Sequence, residues 1–343
     1  MKRIVLLACC ILCLCGCTGA KELEELQIVA GLYLDTTDSG SLRLTAETVD
    51  FSDGTEKPAV YSAEGMGIGE CMTRMMDLCG RKLYLSHAEV IVVSKQYADT
   101  RFRELTEYIL HDNDLRFTTA VAVSLEDTAN ALVAAESGMI RSYEIARLLQ
   151  NNHNTGRTVN KESYVAIREL YDIGETTVLP AIAIKENAVC ARGSVVIGKT
   201  GMITLDDTDT MLLNLLCGDL QHGSLGFEMD GQDVSVDITD CRTRFDCNAF
   251  DGVVKYHADV NLSVEAQAIF DAKELEYALR DYLRDAVQEL YRRLRDAEAD
   301  VAGVGRMLRA YHPEQYRIME EEPIFPGSVL EFRVRIETGE VVY

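Results

Sequence analysis

Five of the eleven cysteines fall in the first 17 residues, and the last of them, Cys17, follows Leu14-Cys15-Gly16. Leu three positions before a cleavage point, a small Gly directly before it and Cys directly after it resemble a bacterial lipobox, in which the thiol is diacylated. The preceding segment fits that chemistry. Lys2 and Arg3 make a short positive start, and Ile4 to Cys15 is apolar without a charge, which is the layout of a secretory signal peptide. Twelve apolar residues rise about 18 Å as a helix, short of the roughly 30 Å of a bilayer core, so the segment targets rather than spans. The expectation is that residues 1–16 are removed, that Cys17 carries a covalent lipid anchor, and that residues 17–25 form a polar spacer. Two or more acyl chains hold a protein on a membrane where one is marginal.

The other residues capable of chemistry do not assemble into a motif. Cys71, Cys79, Cys190, Cys217, Cys241 and Cys247 are an even set in an exported chain, which invites disulfides. Cys71 and Cys79 lie eight residues apart in a helical pattern, about 12 Å along the axis and beyond disulfide reach. Cys241 and Cys247 meet only if the chain turns between them; on one continuous strand they stand roughly 20 Å apart. No Cys or His spacing reads as zinc, and His87, His111, His153, His222, His257 and His312 show no HExxH pattern. Gly65-Met-Gly-Ile-Gly69 opens a helix but lacks the Walker and dinucleotide spacings, so tight packing explains it better than phosphate binding. Asp206, Asp207 and Asp209 read as a helix cap with first-turn carboxylates rather than a calcium loop. Ser194 lacks the GxSxG elbow of a serine nucleophile. No catalytic residue, cofactor site or metal site is expected.

The elements that position these residues are those of a folded protein of two or three compact units, since the chain has 343 residues, 47% hydrophobic and 26% charged. With 56 acidic against 34 basic residues and a formal charge of −22, the surface repels phosphate backbones and nucleic acid is excluded as a partner. Strand and helix patterns alternate. Gln27 to Asp35 and Leu42 to Phe51 read as a hairpin, followed by helical spacing over Glu64 to Arg81, a buried strand Glu89 to Ser94, an amphipathic helix Lys95 to His111 and a strand Arg116 to Ser124. Helices are expected over Glu126 to Ala135, Arg141 to Asn151 and Ser163 to Tyr171. Gly193 to Gly198 and Gly201 to Leu205 read as a second hairpin, before a helix capped at Asp206. Strands then follow at 224–227, 233–239, 242–245 and 253–266. Ala272 to Glu298 carries apolar residues three and four apart and reads as one long helix on a sheet. Ala299 to Tyr311 continues as a helix stopped by Pro313, and Ser328 to Glu337 alternates as a strand. The fold class is α+β, with two to three mixed or antiparallel sheet domains flanked by helices, divided into residues 26–188 and 189–343.

Several segments, in order, resemble the Ger(x)C lipoproteins, the C subunits of nutrient germinant receptors in endospore-forming bacteria. Cys17 followed by Lys21-Glu-Leu-Glu-Glu-Leu-Gln-Ile-Val-Ala-Gly-Leu-Tyr-Leu-Asp35 resembles the family's opening. Gly80 to Ser94 (GRKLYLSHAEVIVVS) resembles its strand region with His87 in place, and Ala299 to Tyr316 resembles its terminal segment. Thr18-Gly19 stands where the family often has Trp-Asp, and Tyr316 stands where it has tryptophan. The resemblance implies a protein that is not an enzyme, anchored through Cys17 to the outer face of the spore inner membrane, with multi-pass A and transporter-like B germinant receptor subunits as partners. Two other classes compete with it. A solute-binding lipoprotein of a transporter calls for two similar α/β lobes around an aromatic-lined cleft, and an envelope hydrolase calls for a nucleophile or metal that no motif supplies.

Overall fold

The computed structural model describes residues 25–51, 54–134, 139–151, 154–266, 271–319 and 324–340. Leu26–Thr36 (β1) and Leu42–Asp50 (β2) pair as the expected antiparallel hairpin, with Leu34 opposite Leu44. Lys57–Gly65 (β3) adds to the free side of β2, a strand absent from the sequence reading. Ile68–Cys79 (α1) turns Ile68, Cys71, Met72 and Met75 inward. Lys82–Tyr84 (β4) and the fully buried Val90–Ser94 (β5) lie parallel to successive parts of β1. Lys95–His111 (α2) has the predicted bounds, and its cap Ser94 accepts a hydrogen bond from the Tyr97 amide. Ala120–Ser124 (β6) is parallel to β5. Ala131–Ala134 (α3), Arg141–Gln150 (α4) and Ser163–Leu170 (α5) follow.

Thr177–Lys185 (β7), Ala188–Ile197 (β8) and Met202–Leu205 (β9) complete a nine-stranded sheet in the order β3-β2-β1-β5-β6-β7-β8-β9, with β4 beside the start of β1. Side chains alternate across its parallel centre, as a strand period of two requires. Leu32, Leu34, Ile91 and Val93 pack with Phe102 and Leu105 of α2. Tyr33, Val90 and Val92 face the other way, against Ile145 and Leu149 of α4. Helices on both faces explain why these strands read as continuous apolar runs.

The division expected between residues 188 and 189 falls at the first residue of β8, just past the β7–β8 turn where Glu186 and Asn187 take positive φ, and the first sheet continues across it through Leu205.

A second, four-stranded sheet has the order β10-β11-β12-β13, built from Gly223–Met229 (β10), Gln232–Phe250 (β11), Val253–Ala266 (β12) and Val329–Glu340 (β13). Asp207–Cys217 (α6) leads into it, and Ala272–Asp296 (α7), Val304–Tyr311 (α8) and Pro313–Met319 (α9) separate β12 from β13. Along β12 Val254, Tyr256, Ala258, Val260, Leu262 and Val264 are buried, and the stripe Leu275, Leu279, Leu283, Val287, Leu290 and Leu294 of α7 packs in the same core. That core also takes in Val178, Val196 and Leu205 from the first sheet. The molecule is thus α+β, with two unlike mixed sheets sharing apolar packing, whereas capture of a solute between lobes calls for two similar ones.

Three expectations are corrected. Strand β11 is one 19-residue element rather than separate pieces. Within 126–135 the helix covers only Ala131–Ala134 among the described residues. Ala299 to Tyr311 is not a single helix: Gly303 takes φ 70° and caps α8, and Pro313 begins α9 rather than ending the helical region. Proline suits a first helical turn because its missing N–H has no partner there in any case.

Candidate functional site

Cys17, on which the lipid chemistry was expected, lies outside the described residues, as does His153. The remaining sequence candidates sit in separate places with local partners. At the glycine-rich start of α1, the Met66 amide donates to Glu70 Oε2 at 2.8 Å; the helix supplies its own carboxylate where an external anion would sit. Asp206 caps α6 by accepting from the Asp209 amide at 2.8 Å, and the Asp209 carboxylate pairs with Arg293 at 2.7 Å. Ser194 is buried in β8, with its Oγ 2.9 Å from Thr210 Oγ1. His111 Nδ1 lies 2.7 Å from the Glu107 carbonyl in its own helix, and His257 lies between Asn248 and Glu331. Cys241 and Cys247 occupy one continuous strand, and all six cysteines among the described residues are free thiols. No group of three His, Cys, Asp or Glu side chains that could hold a metal occurs among the described residues.

The structure brings together residues of which the sequence singled out only Cys217. A cavity of about 500 Å³ opens where α5 and the start of β7 meet α6, β11 and the segment leading into α8. On one wall Lys161 Nζ donates to both oxygens of Glu169, at 2.8 and 3.1 Å, and Thr177 Oγ1 donates to Glu169 Oε2 at 2.6 Å. Opposite them Asp300 is buried, with its two oxygens accepting from the Val304 and Gly305 amides at 2.8 and 2.9 Å. Burial holds the Asp300 carboxyl above the usual aspartate range, against the opposing effect of those amides. Its position follows from the Gly303 conformation: a left-handed residue turns the chain so that the first amides of α8 point back at the carboxylate.

At the mouth, Asp172 accepts from Arg309 at 3.1 Å and lies 4.0 Å from Arg306. Those contacts tie the end of α5 to α8, 137 residues later. Thr200 Oγ1 donating to the Ala297 carbonyl at 2.9 Å and the Arg103–Glu175 pair add further polar links in the same region. Cys217 also lines the cavity, and burial pushes its thiol up to about 12, so it is protonated and a poor nucleophile near neutral pH. In this arrangement Glu169, Asp172 and Asp300 are matched to cations or amides, and the lining holds no histidine to activate a hydroxyl or a thiol. Its chemistry is that of a polar joint between the two sheets.

Two protein-family descriptions match the chain in tandem. The spore germination protein N-terminal domain matches residues 19–184, and the spore germination B3/GerAC-like C-terminal domain matches residues 192–339. Among curated relatives, the spore germination protein A3 of Bacillus subtilis (strain 168) is 21% identical over 97% of this chain and 96% of its own length. The spore germination protein GerQC of Bacillus cereus is 21% identical over 80% of this chain and 79% of its own. The crystal structure of the GerBC protein superposes with a TM-score of 0.62, covering 90% of this chain and 96% of that one at 14% identity; at that identity the likeness is one of fold.

Proposed function

The chain belongs to the Ger(x)C family of spore germination proteins, and from that membership we propose that it is the lipid-anchored C subunit of a nutrient germinant receptor. In this reading Cys17 carries the lipid, the ectodomain stands on the outer face of the spore inner membrane, and the A and B membrane subunits are its partners. Its work is receptor assembly and signalling through protein contacts, without chemistry of its own. The observation that carries the proposal is the ordered pair of family matches, which together run from residue 19 to residue 339 and take in both sheets.

The sequence around the start of β1 adds support for the anchor. Leu26 lies nine positions after Cys17, so the lipid and the folded domain are within about 32 Å of one another even if the spacer is fully extended. No helix among the described residues is long and apolar enough to cross a membrane, which leaves membrane attachment in this reading to the lipid.

The test is co-purification from detergent-solubilised spore membranes through a tag on this chain. Recovery of A-type and B-type subunits with the wild type is expected. Cys17→Ala is expected to leave the membrane fraction. Wild-type chain recovered without either subunit would contradict the receptor reading, and a Cys17→Ala protein still sedimenting with membranes would contradict the anchor.

A further inference from the structure

The chain enters the first sheet at Leu26, and the pairings of that sheet show which residues share this pole. Leu26 pairs with Lys82, which follows the C-terminal end of α1, and Ile28 pairs with Val49, near the end of β2. Gly31 pairs with Val90 and Val90 with Ala120, so the segment before β6 also approaches from this side. The end of α2 is held here because Asp114, three residues beyond it, binds Lys82 and its carbonyl accepts from Ser86 Oγ at 2.8 Å. The start of α5 is held by the Tyr164 amide donating to the Phe117 carbonyl at 3.0 Å.

Five large apolar side chains stand exposed at this pole, one from each converging segment. Phe51 is 49% exposed, Leu78 66%, Leu110 46%, Phe117 48% and Tyr164 46%. Single exposed apolar residues are ordinary, but a gathering at one end of a sheet marks an interaction site. The charges among them lean acidic: Asp50, Glu56, Asp77, Asp112 and Glu162 stand against Lys57, Arg81 and Arg116, while Lys82 is held by Asp114. An anionic lipid surface repels such a pole, whereas a protein surface with an apolar centre and basic rim complements it.

We infer that this pole, built from the ends of β2, α1 and α2 and the starts of β6 and α5, docks on the extracytoplasmic surface of an integral membrane protein carrying apolar and basic side chains. The inference rests on the proposed anchor at Cys17, because that residue stands only nine positions before Leu26, where the chain enters this pole. The short tether also raises the local concentration of such a partner.

The experiment places a photo-reactive residue at Leu78, at Phe117 or, as a control at the end of β11, at Phe250 of the full lipidated chain, produced together with A-type and B-type subunits. All three positions are exposed, so each variant is expected to fold, and circular dichroism checks it. Irradiation is expected to join positions 78 and 117 to one of the membrane subunits and to leave position 250 without that adduct. Reversing charge at Asp77 and Glu162 to Lys is expected to lower the adduct yield about ten-fold. If the subunits co-purify but positions 78 and 117 yield only lipid adducts, or the subunit adduct arises from 250 instead, the docking pole is overturned while the assembly reading stands. If no subunit co-purifies, both fail together.

Discussion

Glu47 and Ser142, 95 positions apart, are joined twice: Glu47 Oε2 accepts from the Ser142 amide at 2.7 Å and from Ser142 Oγ at 2.5 Å. The other carboxylate oxygen accepts from the Arg141 amide at 2.8 Å. A carboxylate in the middle of β2 thereby satisfies the first free amides of α4, which has no capping side chain of its own. The sheet and the helix also approach closely where β1 has no side chain, since a Cβ on Gly31 would stand 2.2 Å from Ser142 Oγ.

Glu47→Ala is expected to destabilise the protein by about 3 kcal/mol, because it strands two buried amides that formerly met a charge and leaves the Ser142 hydroxyl to Tyr33 alone. Glu47→Gln keeps an acceptor and is expected to cost about half as much. Urea denaturation of the protein measures both. Equal stability of the Ala variant and the wild type would show that α4 is not held by this contact.

Asp300 gives stability a definite pH dependence. Its folded carboxyl titrates above its unfolded value, so its contribution is fully present below about pH 4 and is lost as pH rises through the folded value. Asp300→Asn removes that titration. The stability of the wild type relative to the Asn variant is therefore expected to fall as pH rises from about 4 toward neutrality, in unfolding curves collected at several pH values. A relative stability that rises over that interval would reverse the sign and sink the argument.

The two ion pairs at the cavity should differ in worth. Lys161 and Glu169 retain only 15% and 21% of their side-chain exposure, while Arg309 is 54% exposed. Lys161→Met leaves Glu169 partly buried with Thr177 alone, and a loss of about 2–3 kcal/mol is expected. Arg309→Ala is expected to cost under about 1 kcal/mol. Thermal unfolding of the two variants side by side tests the ranking, and a costlier Arg309→Ala would invert it.

The thiols give a chemical check on the second sheet. Burial pushes Cys241 and Cys247 up to about 11, so neither should react quickly with a thiol reagent near neutral pH in the native state. After unfolding without reductant, mass spectrometry is expected to find both labelled. A peptide in which Cys241 and Cys247 are linked would contradict the continuous strand.

Local pattern located most elements, and the failures have physical causes. Strand β3 escaped because it is an edge: its residues alternate between exposed and half-buried, and Lys57-Pro-Ala-Val-Tyr-Ser-Ala-Glu-Gly65 carries little apolar contrast. Strand β11 looked broken because its register against β12 shifts between Ile238 and Asp240. A slip of one residue reverses which side chains face the core, so a strict alternation cannot be followed through it. The helix expected from Ala299 failed because Asp300 serves as a capping acceptor and Gly303 turns left-handed, and neither choice shows in hydrophobic spacing.

What the sequence by itself determined is whatever depends on neighbours along the chain: the bounds of α2, the cap at Asp206, the long stripe of α7, and the family's ordered segments. Tertiary structure alone decided what depends on distant residues meeting. Lys161, Glu169, Cys217 and Asp300 line one cavity only because α5, α6 and the approach to α8 converge there. Phe51, Leu78, Leu110, Phe117 and Tyr164 share one pole only because the strand order places the ends of β2, α1 and α2 beside the starts of β6 and α5. Hydrophobic periodicity records which face of an element is buried, not which other element covers it, so the joint and the docking pole are properties of the fold rather than of any segment.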